Sequence, residues 1–249
     1  MEDSAYIGES IAGVVYLIVG VRLLRLALRT GKLPERFLSA SFLAWGLSYV
    51  LYNLPYALAD ESLLRSLYPA GRLVTATGAI TYALFTWSVF RRHDAGGLWM
   101  VAGTAVCLIA GVVGSVWVGD WEGVYPIRNP WWWPEWVGVT ATEAWLGTEA
   151  LVQYGKARQR LRLGLSPSLS CNRFLLLGLV SVLSLALQFV VVAQSIEYEI
   201  TQRWSATTDA LVSGVELTTI AMIWLVFFPP AFYRSWINGA VPVAKAVKS

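Results

Sequence analysis

Long apolar runs separated by short polar stretches dominate the hydrophobic pattern of this chain. Each run is about as long as the roughly 20 residues that a helix needs to cross a bilayer. Backbone groups in lipid must find hydrogen-bond partners within their own segment, so runs of this length predict helices. The runs lie at about residues 5–28, 37–59, 67–90, 97–118, 136–155, 173–195 and 205–228. The pattern predicts an all-α, polytopic membrane protein with seven transmembrane helices, folded as a single domain over residues 1–249.

The composition agrees with a membrane environment. Of the 249 residues, 56% are hydrophobic and 14% are charged, whereas a soluble domain carries about 25% charged residues. The charged residues lie between the apolar runs instead of being spread along the chain. Seven spans and their short connections use up the length, so no separate soluble domain is expected.

Lysine and arginine are distributed unevenly between the two sides that seven spans define. Of the 19 Lys and Arg residues, fifteen fall on one side, and only Arg65, Arg72, Arg128 and Arg203 fall on the other. Cytoplasmic loops carry an excess of basic residues, so the N-terminus is predicted outside and the C-terminus in the cytoplasm. Arginine outnumbers lysine, and Ala, Gly, Leu and Val are abundant, as is typical of GC-rich prokaryotes. The expected location is therefore a bacterial or archaeal cytoplasmic membrane.

Aromatic residues are concentrated in the outer connection between the fourth and fifth spans. They are Trp117, Trp121, Tyr125, Trp131, Trp132, Trp133 and Trp136. Tryptophan favours the headgroup level, because its ring is apolar and its N–H needs a partner. The sequence leaves two interpretations open: an aromatic belt, and a lid over a pocket on the outer side.

Two stretches on the basic side are predicted to contact the inner membrane surface. Residues 153–165 continue the fifth helix, and their basic side chains suit anionic headgroups or a cytoplasmic protein partner. The cytoplasmic tail, residues 229–249, begins with Pro229-Pro230. The residues after this pair predict a short amphipathic helix on the inner surface.

Spans one to three align without gaps on spans five to seven at a shift of 137 residues. The matches are Arg25-Leu26 with Arg162-Leu163, Arg36-Phe37-Leu38 with Arg173-Phe174-Leu175, and Trp87 and Phe90 with Trp224 and Phe227. All three lie near the cytoplasmic ends of the spans, while identity elsewhere is near the chance level for two apolar chains. The sequence leaves two explanations open: a parallel three-plus-one-plus-three repeat with span four as the linker, and chance similarity.

This topology resembles a broad group of seven-helix proteins: microbial opsins, SWEET-type sugar transporters, PQ-loop proteins and the KDEL receptor. The resemblance covers the whole chain as topology and carries no family motif. The Pro-Gln pair of PQ-loop proteins is missing, because spans one and five contain no proline. Pro230-Ala-Phe-Tyr233 is similar to the Pro-x-x-Tyr of rhodopsin-like receptors, but Pro229 replaces the expected Asn or Asp. The resemblance implies a receptor-like or transporter-like protein.

Several kinds of chemistry are excluded by residues that the chain lacks. A covalent retinal site needs a lysine in the seventh span, but the lysines are Lys32, Lys156, Lys245 and Lys248, all on the cytoplasmic side. The single histidine, His93, lies beside Arg91 and Arg92, so no His-based zinc site or Ser–His nucleophile is expected. Cys107 and Cys171 are predicted to be far apart and unpaired. No cofactor, metal, catalytic group or nucleic-acid partner is predicted, and an enzyme is not expected.

Polar residues within the predicted spans cluster in the outer half of the bundle. Intramembrane ionisable groups are costly and indicate a function or a packing role. The predicted ligand-binding residues are Glu9, Asn53, Arg72, Glu143, Glu149, Gln188, Asp209, Ser213 and Glu216. Helical spacing places Asp209, Ser213 and Glu216 on one face of the seventh span. The third span is rich in small and hydroxyl residues, which predicts a central, closely packed helix.

Arg72 is the basic residue of this set. Its expected partner is Asp209, Glu9 or Glu143, or an anionic group of a ligand. Because the carboxylates outnumber Arg72, at least one is expected to be protonated or to meet a bound cation. The residues fit either a polar pocket open to the outside and floored by Glu149 and Glu216, or a polar network that holds the helices together.

The leading functional hypothesis is a receptor- or sensor-like protein that binds a small molecule from the outer side. One alternative is a small-solute or proton-coupled transporter, which the repeat and two carboxylates near the midplane favour. Another is an accessory subunit of a membrane complex. The expected partners are the lipid bilayer, an unidentified small molecule, and a cytoplasmic or membrane protein.

Overall fold

Helices account for all the regular secondary structure in the computed structural model, which describes residues 3–58, 61–203 and 205–239. They are α1 (Asp3–Thr30), α2 (Leu33–Leu58), α3 (Glu61–Phe90), α4 (Ala95–Trp117), α5 (Trp132–Arg162), α6 (Ser168–Thr201), α7 (Ala206–Phe227) and α8 (Ala231–Gly239). A helix covers each predicted apolar run, and α8 follows Pro229-Pro230 where a short helix was expected. The tail beyond residue 239 lies outside the described residues.

Six of these helices, all but α5 and α8, are long and apolar enough to cross a membrane. The chain is therefore a multi-pass membrane protein, as the sequence predicts. The outer surface of α4 agrees, because Val106, Ile109 and Val113 are 67%, 50% and 54% exposed. Such a surface suits lipid better than water. The helix α5 is long enough but not apolar enough to be identified as a span in this way. A seventh span and the orientation of the chain therefore stay predictions.

Six helices form a closed ring in the order α1, α2, α3, α5, α6 and α7, with α7 returning to α1. The helix α4 lies outside this ring and packs against α3 and α5. The predicted central helix α3 contacts α2, α4 and α5.

Small residues allow close packing where α2 meets its neighbours. A Cβ atom on Gly46 of α2 would lie 2.6 Å from Leu17 of α1, and one on Gly78 of α3 would lie 2.7 Å from Trp45. The Ser41 hydroxyl donates across the second interface to the Gly78 carbonyl at 2.5 Å. Small side chains at helix contacts are typical of membrane bundles, because van der Waals packing holds the helices together there.

The two ends of the bundle differ in composition. One end, called the aromatic end, holds the segment 118–131 and the connection between α6 and α7. The opposite end, called the basic end, holds the connections after α1, α3 and α5 and the helix α8. Most of the described Lys and Arg residues lie at the basic end, for example Arg29, Arg92 and Arg160.

Apolar side chains from all six ring helices fill the half of the ring nearer the basic end. The buried members are Val19, Leu23, Leu38, Phe42, Tyr82, Leu146, Val180 and Ile223. Phe85, Phe90, Phe227 and Phe228 pack against them. We call this cluster the apolar plug. It leaves the other half of the ring as the place where polar side chains meet.

Candidate functional site

A polar cavity of about 480 Å³ lies inside the ring, between the apolar plug and the aromatic end. Its size falls within the roughly 300–1,000 Å³ that is common for small-molecule sites. The ring helices contribute Tyr16 from α1, Trp45, Ser48, Tyr49 and Tyr52 from α2, Tyr68, Arg72, Thr75 and Ala79 from α3, Glu135, Val139, Thr142 and Glu143 from α5, Ser184, Leu187 and Gln188 from α6, and Glu216 and Thr219 from α7. The lining includes no described residue of α4, in agreement with the position of that helix outside the ring.

Four of the nine predicted ligand-binding residues line this cavity: Arg72, Glu143, Gln188 and Glu216. They come from four different helices, so the fold brings together side chains that are far apart in the sequence. Glu216 also accepts a hydrogen bond from the Tyr49 hydroxyl at 3.0 Å. The described part of the chain therefore contains a polar cavity lined by side chains from several helices.

Arg72 is held by groups that the sequence did not single out. It forms an ion pair with Glu135 at the start of α5. Its Nη1 atom donates to the carbonyl oxygens of Asp120 at 3.0 Å and Trp121 at 3.4 Å. Glu143, Asp209, Glu9 or an anionic ligand group was expected to pair with Arg72, but the carboxylate that meets it among the described residues is Glu135, in the first turn of α5.

The segment 118–131, which we call the lid, covers the cavity at the aromatic end. Its residues Glu122, Gly123 and Val124 complete the cavity wall. A hypothetical Cβ atom on Gly123 would lie 2.5 Å from the Arg72 guanidinium carbon. The lid backbone and Arg72 are therefore in direct contact.

Polar side chains fold the lid into one shape. The Asp120 carboxylate accepts from the backbone N–H groups of Gly123 at 2.9 Å and Val124 at 3.3 Å. The Asn129 amide donates to the other oxygen of Asp120 at 2.6 Å and to Ser115 at 2.9 Å. An aspartate that bonds backbone groups a few residues further on is typical of a fixed turn.

Two helices tie the lid to the ring. The Glu199 carboxylate at the end of α6 accepts from the backbone N–H groups of Ile127 at 2.8 Å and Arg128 at 3.0 Å. At the start of α5, the indole of Trp132 donates to the Gly123 carbonyl at 2.8 Å, and that of Trp133 donates to the Pro126 carbonyl at 3.0 Å. The lid is thus an ordered part of the fold.

The aromatic residues of this region divide between the two predicted roles. Trp132 is buried under the lid, and Trp121 packs edge-on against Tyr68 of the cavity wall with ring centroids 6.0 Å apart. Trp117, in contrast, is 88% exposed on the outer side of α4. The inward-facing residues support the lid interpretation, and Trp117 suits an aromatic belt.

Burial also changes the acidity of a lid carboxyl. Partial burial, together with the nearby Asp120 carboxylate, raises the pKa of Glu122 above its ordinary value. Both effects oppose the charged form of Glu122. The cavity wall at the lid therefore contains a carboxyl group that releases its proton less readily than a solvated glutamate.

Glu149 lies away from the cavity that it was predicted to floor. Its Oε1 atom accepts from the Nε atom of Arg91 at 2.6 Å, and this hydrogen bond raises the pKa of Arg91. Glu149 stands seven residues after Thr142 on α5, about 10 Å nearer the basic end at roughly 1.5 Å per residue. At that depth it faces a groove between α4 and α5 that includes Gly97 and Met100.

Three further predicted residues, Asp209, Ser213 and Asn53, are described and lie outside the cavity lining. Asp209 accepts a hydrogen bond from Gln194 of α6, so it joins α7 to α6. Ser213 and Asn53 are half-buried and do not line the cavity. Glu9 belongs to α1, but its side chain lies outside the described residues.

Two buried polar atoms in the cavity wall lack a hydrogen-bond partner among the described residues. They are Oε2 of Glu143 and Oγ1 of Thr219. A buried polar group without a partner costs about 1–3 kcal/mol. Such atoms indicate a place where water, a proton or a ligand completes the interactions.

Several residues of the site were missed from the sequence, above all Glu135, Asp120 and Glu199. Glu135 directly precedes the predicted fifth span, so it was not among the polar residues sought within the spans. An acidic residue in the first turn of a helix is a recognisable signal. Asp120, three residues before Gly123, was a turn signal. The sequence offered no comparable signal that Glu199 would bind the lid backbone.

Comparisons with protein-family models, curated proteins and solved structures find no match to this chain. Within the described residues, no group of three or more His, Cys, Asp or Glu side chains is arranged to hold a metal ion. The function is therefore inferred from the geometry of the cavity.

Proposed function

We propose that the protein is a seven-span, receptor- or sensor-like membrane protein that binds a small molecule in the cavity from the outer side. The positive-inside rule supports the orientation, because the basic end would then be cytoplasmic and the aromatic end outside.

A membrane-spanning role for α5 is supported by its place in the ring. It is 31 residues long, or about 46 Å at roughly 1.5 Å per residue, and within the ring it packs between α3 and α6. Its polar residues Thr142 and Glu143 are buried in the ring, whereas Val137 and Val152 are 47% exposed on its surface. A helix whose polar groups face the bundle interior has a low mean hydropathy and can still cross a bilayer.

One observation carries the functional proposal. The cavity occupies one half of the ring, and the apolar plug fills the other half. A ligand would therefore reach the cavity from the aromatic end and find no polar path through the plug. One-sided access suits a receptor or sensor, which binds a molecule without moving it across the membrane.

A transporter is the second candidate, favoured by the buried carboxyl of Glu143. A carboxyl group without a hydrogen-bond partner for one of its oxygens can take up and release a proton during a transport cycle. A transport cycle would require the plug to part, so that the same site opens to the other side.

Two-sided labelling of one cavity residue separates the two candidates. With Cys107 and Cys171 replaced by alanine, Ser184→Cys would be labelled in oriented vesicles with a membrane-impermeant thiol reagent. A receptor or sensor predicts labelling from the outer face alone. Labelling from both faces would replace this proposal with the transporter, and the same replacement at the plug residue Val180 serves as the buried control.

A further inference from the structure

The described lining of the cavity contains more carboxyl groups than basic side chains. The Arg72 guanidinium is occupied by Glu135 and by the lid carbonyls. Glu143 and Glu216 also line the cavity, and its described lining holds no basic side chain besides Arg72. A ligand would therefore meet carboxyl groups, with the one positive charge already paired.

The part of the cavity wall that α1 and α2 provide is rich in aromatic rings. Tyr16 stacks on Tyr49 with ring centroids 5.9 Å apart, and the Trp45 ring is tilted against Tyr16 with centroids 5.9 Å apart. The faces of such rings carry negative partial charge and attract a cation, most strongly where water is excluded. Aromatic faces beside carboxylates are the environment that recognises ammonium groups.

The buried polar atoms without partners give an independent indication of a ligand. Glu143 and Thr219 are 9% and 6% exposed, and each has one oxygen without a partner among the described residues. An ionised Glu143 carboxylate accepts hydrogen bonds and the Thr219 hydroxyl can either accept or donate, so a hydrogen-bond donor would satisfy both atoms. A positively charged donor would also provide the counter-charge that a buried carboxylate requires.

We infer that the cavity binds a monovalent organic cation, namely an amine or ammonium compound with a small apolar part. Its positive charge would lie between the aromatic wall and the carboxyl groups of Glu143 and Glu216, and its apolar part would contact the remaining rings. This inference rests on the proposed function, because it names the ligand class of the same site.

Binding of three matched probes to the full chain in lipid nanodiscs tests this inference. Benzylammonium, benzyl alcohol and benzoate share one ring and differ in charge, and equilibrium dialysis would give their affinities. We expect the cation to bind at least tenfold more tightly than either of the others. Equal or tighter binding of the alcohol or the benzoate would overturn the inference, and so would the absence of cation binding.

Variants connect the binding to the named residues. Glu143→Gln and Glu216→Gln should each weaken cation binding at least tenfold, whereas Glu197→Gln, which removes an exposed charge on α6, should leave it unchanged. Tyr49→Phe keeps the ring and should retain more affinity than Tyr49→Leu. If Glu216→Gln does not fold, Glu143→Gln and the Tyr49 pair still test the site.

The results distinguish failure of this inference from failure of the proposed function. If the Ser184→Cys variant is labelled from outside but the cation does not bind preferentially, the pocket stands and its ligand class is wrong. If cation binding is unchanged in every cavity variant, the cation binds elsewhere and the inference is wrong. If Ser184→Cys is not labelled from either face, the proposed function itself fails.

Discussion

At the scale of single residues, Arg72 connects three parts of the molecule. It belongs to α3, pairs with Glu135 of α5, and donates to the Asp120 carbonyl of the lid. A buried guanidinium needs several acceptors because the loss of hydration is costly. The position of the lid therefore depends on contacts that a few atoms of one side chain make.

Gly123 tests the contact between the lid and Arg72. Its φ angle is +70° and an added Cβ would lie 2.5 Å from the guanidinium carbon, so Gly123→Ala should displace the lid. Gly119 is the matched control, because its φ is +87° but an added Cβ meets nothing within 4 Å. Gly119→Ala should cost about 1–2 kcal/mol from backbone strain alone, and Gly123→Ala should cost more. Equal losses of thermal stability in the two variants would contradict the contact.

Glu122 should make the stability of the lid depend on pH. Its pKa is raised in the folded protein by burial and by Asp120, so its contribution is greatest below the unfolded pKa. That contribution is lost as the pH rises through the folded pKa, because the ionised carboxyl opposes burial. We expect Glu122→Gln to gain thermal stability relative to the unmodified chain as the pH rises. A difference that stays constant with pH, as expected for the exposed Glu197→Gln, would count against this account.

Individual site residues were only partly predictable. Arg72, Glu143, Gln188 and Glu216 were found because ionisable or amide groups stand out in apolar runs. Glu149 was wrongly predicted to form the floor of the cavity, because its position along the fifth span did not reveal that Arg91 reaches it from the end of α3. The contact between Arg72 and Glu135 was not predicted, because pairing depends on which helices are neighbours. The hydrophobicity of the helices does not reveal their order in a ring.

At the scale of elements, α4 supports the cavity from outside the ring. An added Cβ on Gly111 of α4 would lie 2.6 Å from the backbone N of Glu135, so the two helices touch where α5 begins. Close packing at this point positions Glu135, and through Glu135 it positions Arg72. The helix that contributes nothing to the cavity lining thus fixes a charged group of the wall.

Two substitutions on α4 test this support. Gly111→Val should push the start of α5 away and cost about 1–3 kcal/mol, as overpacking of a tight contact does. Gly103→Val adds the same atoms to the same helix where nothing lies within 4 Å, and should leave stability nearly unchanged. Thermal unfolding of both variants in the same nanodiscs measures the difference. If Gly103→Val were as destabilising as Gly111→Val, intrinsic helix propensity would explain the loss better than packing.

The helices themselves were the most predictable feature. Length and hydrophobicity located the long apolar helices, because the bilayer imposes both. The start of α3 at Glu61 and the end of α6 at Thr201 extend beyond the predicted runs, since the polar ends of a helix carry no apolar signal. The lid was less predictable, because its shape depends on hydrogen bonds from Glu199 and Trp132, which belong to other elements.

At the scale of the whole molecule, polar and apolar halves share one ring of helices. The carboxyl groups and Arg72 meet between the plug and the lid, while the basic residues collect at the opposite end. This division makes the two ends of the molecule different, whereas the ends of a symmetric bundle would be alike.

The proposed orientation, with the aromatic end outside and the basic end inside, depends on α5 crossing the membrane. Whether α5 crosses can be measured. In a chain with Cys107 and Cys171 replaced by alanine, Ile127→Cys and Leu165→Cys place thiols at exposed positions before and after α5. A seventh span predicts that an impermeant thiol reagent reaches Ile127→Cys from outside and Leu165→Cys only from the cytoplasmic side. Labelling of both from the same face would mean that α5 does not cross.

The central claim is that a ligand reaches the polar cavity from the aromatic end, past the lid, and that the apolar plug blocks the cavity on its other side. A pair of single cysteines on α7 tests it most directly, because Thr219 lines the cavity and Ile223, one turn further, belongs to the plug. In the cysteine-free background, the account predicts that an impermeant reagent added outside labels Thr219→Cys and leaves Ile223→Cys unlabelled. Protection of Thr219→Cys, or equal labelling of both, would contradict it: the first would indicate a sealed polar network, and the second an open path through the plug.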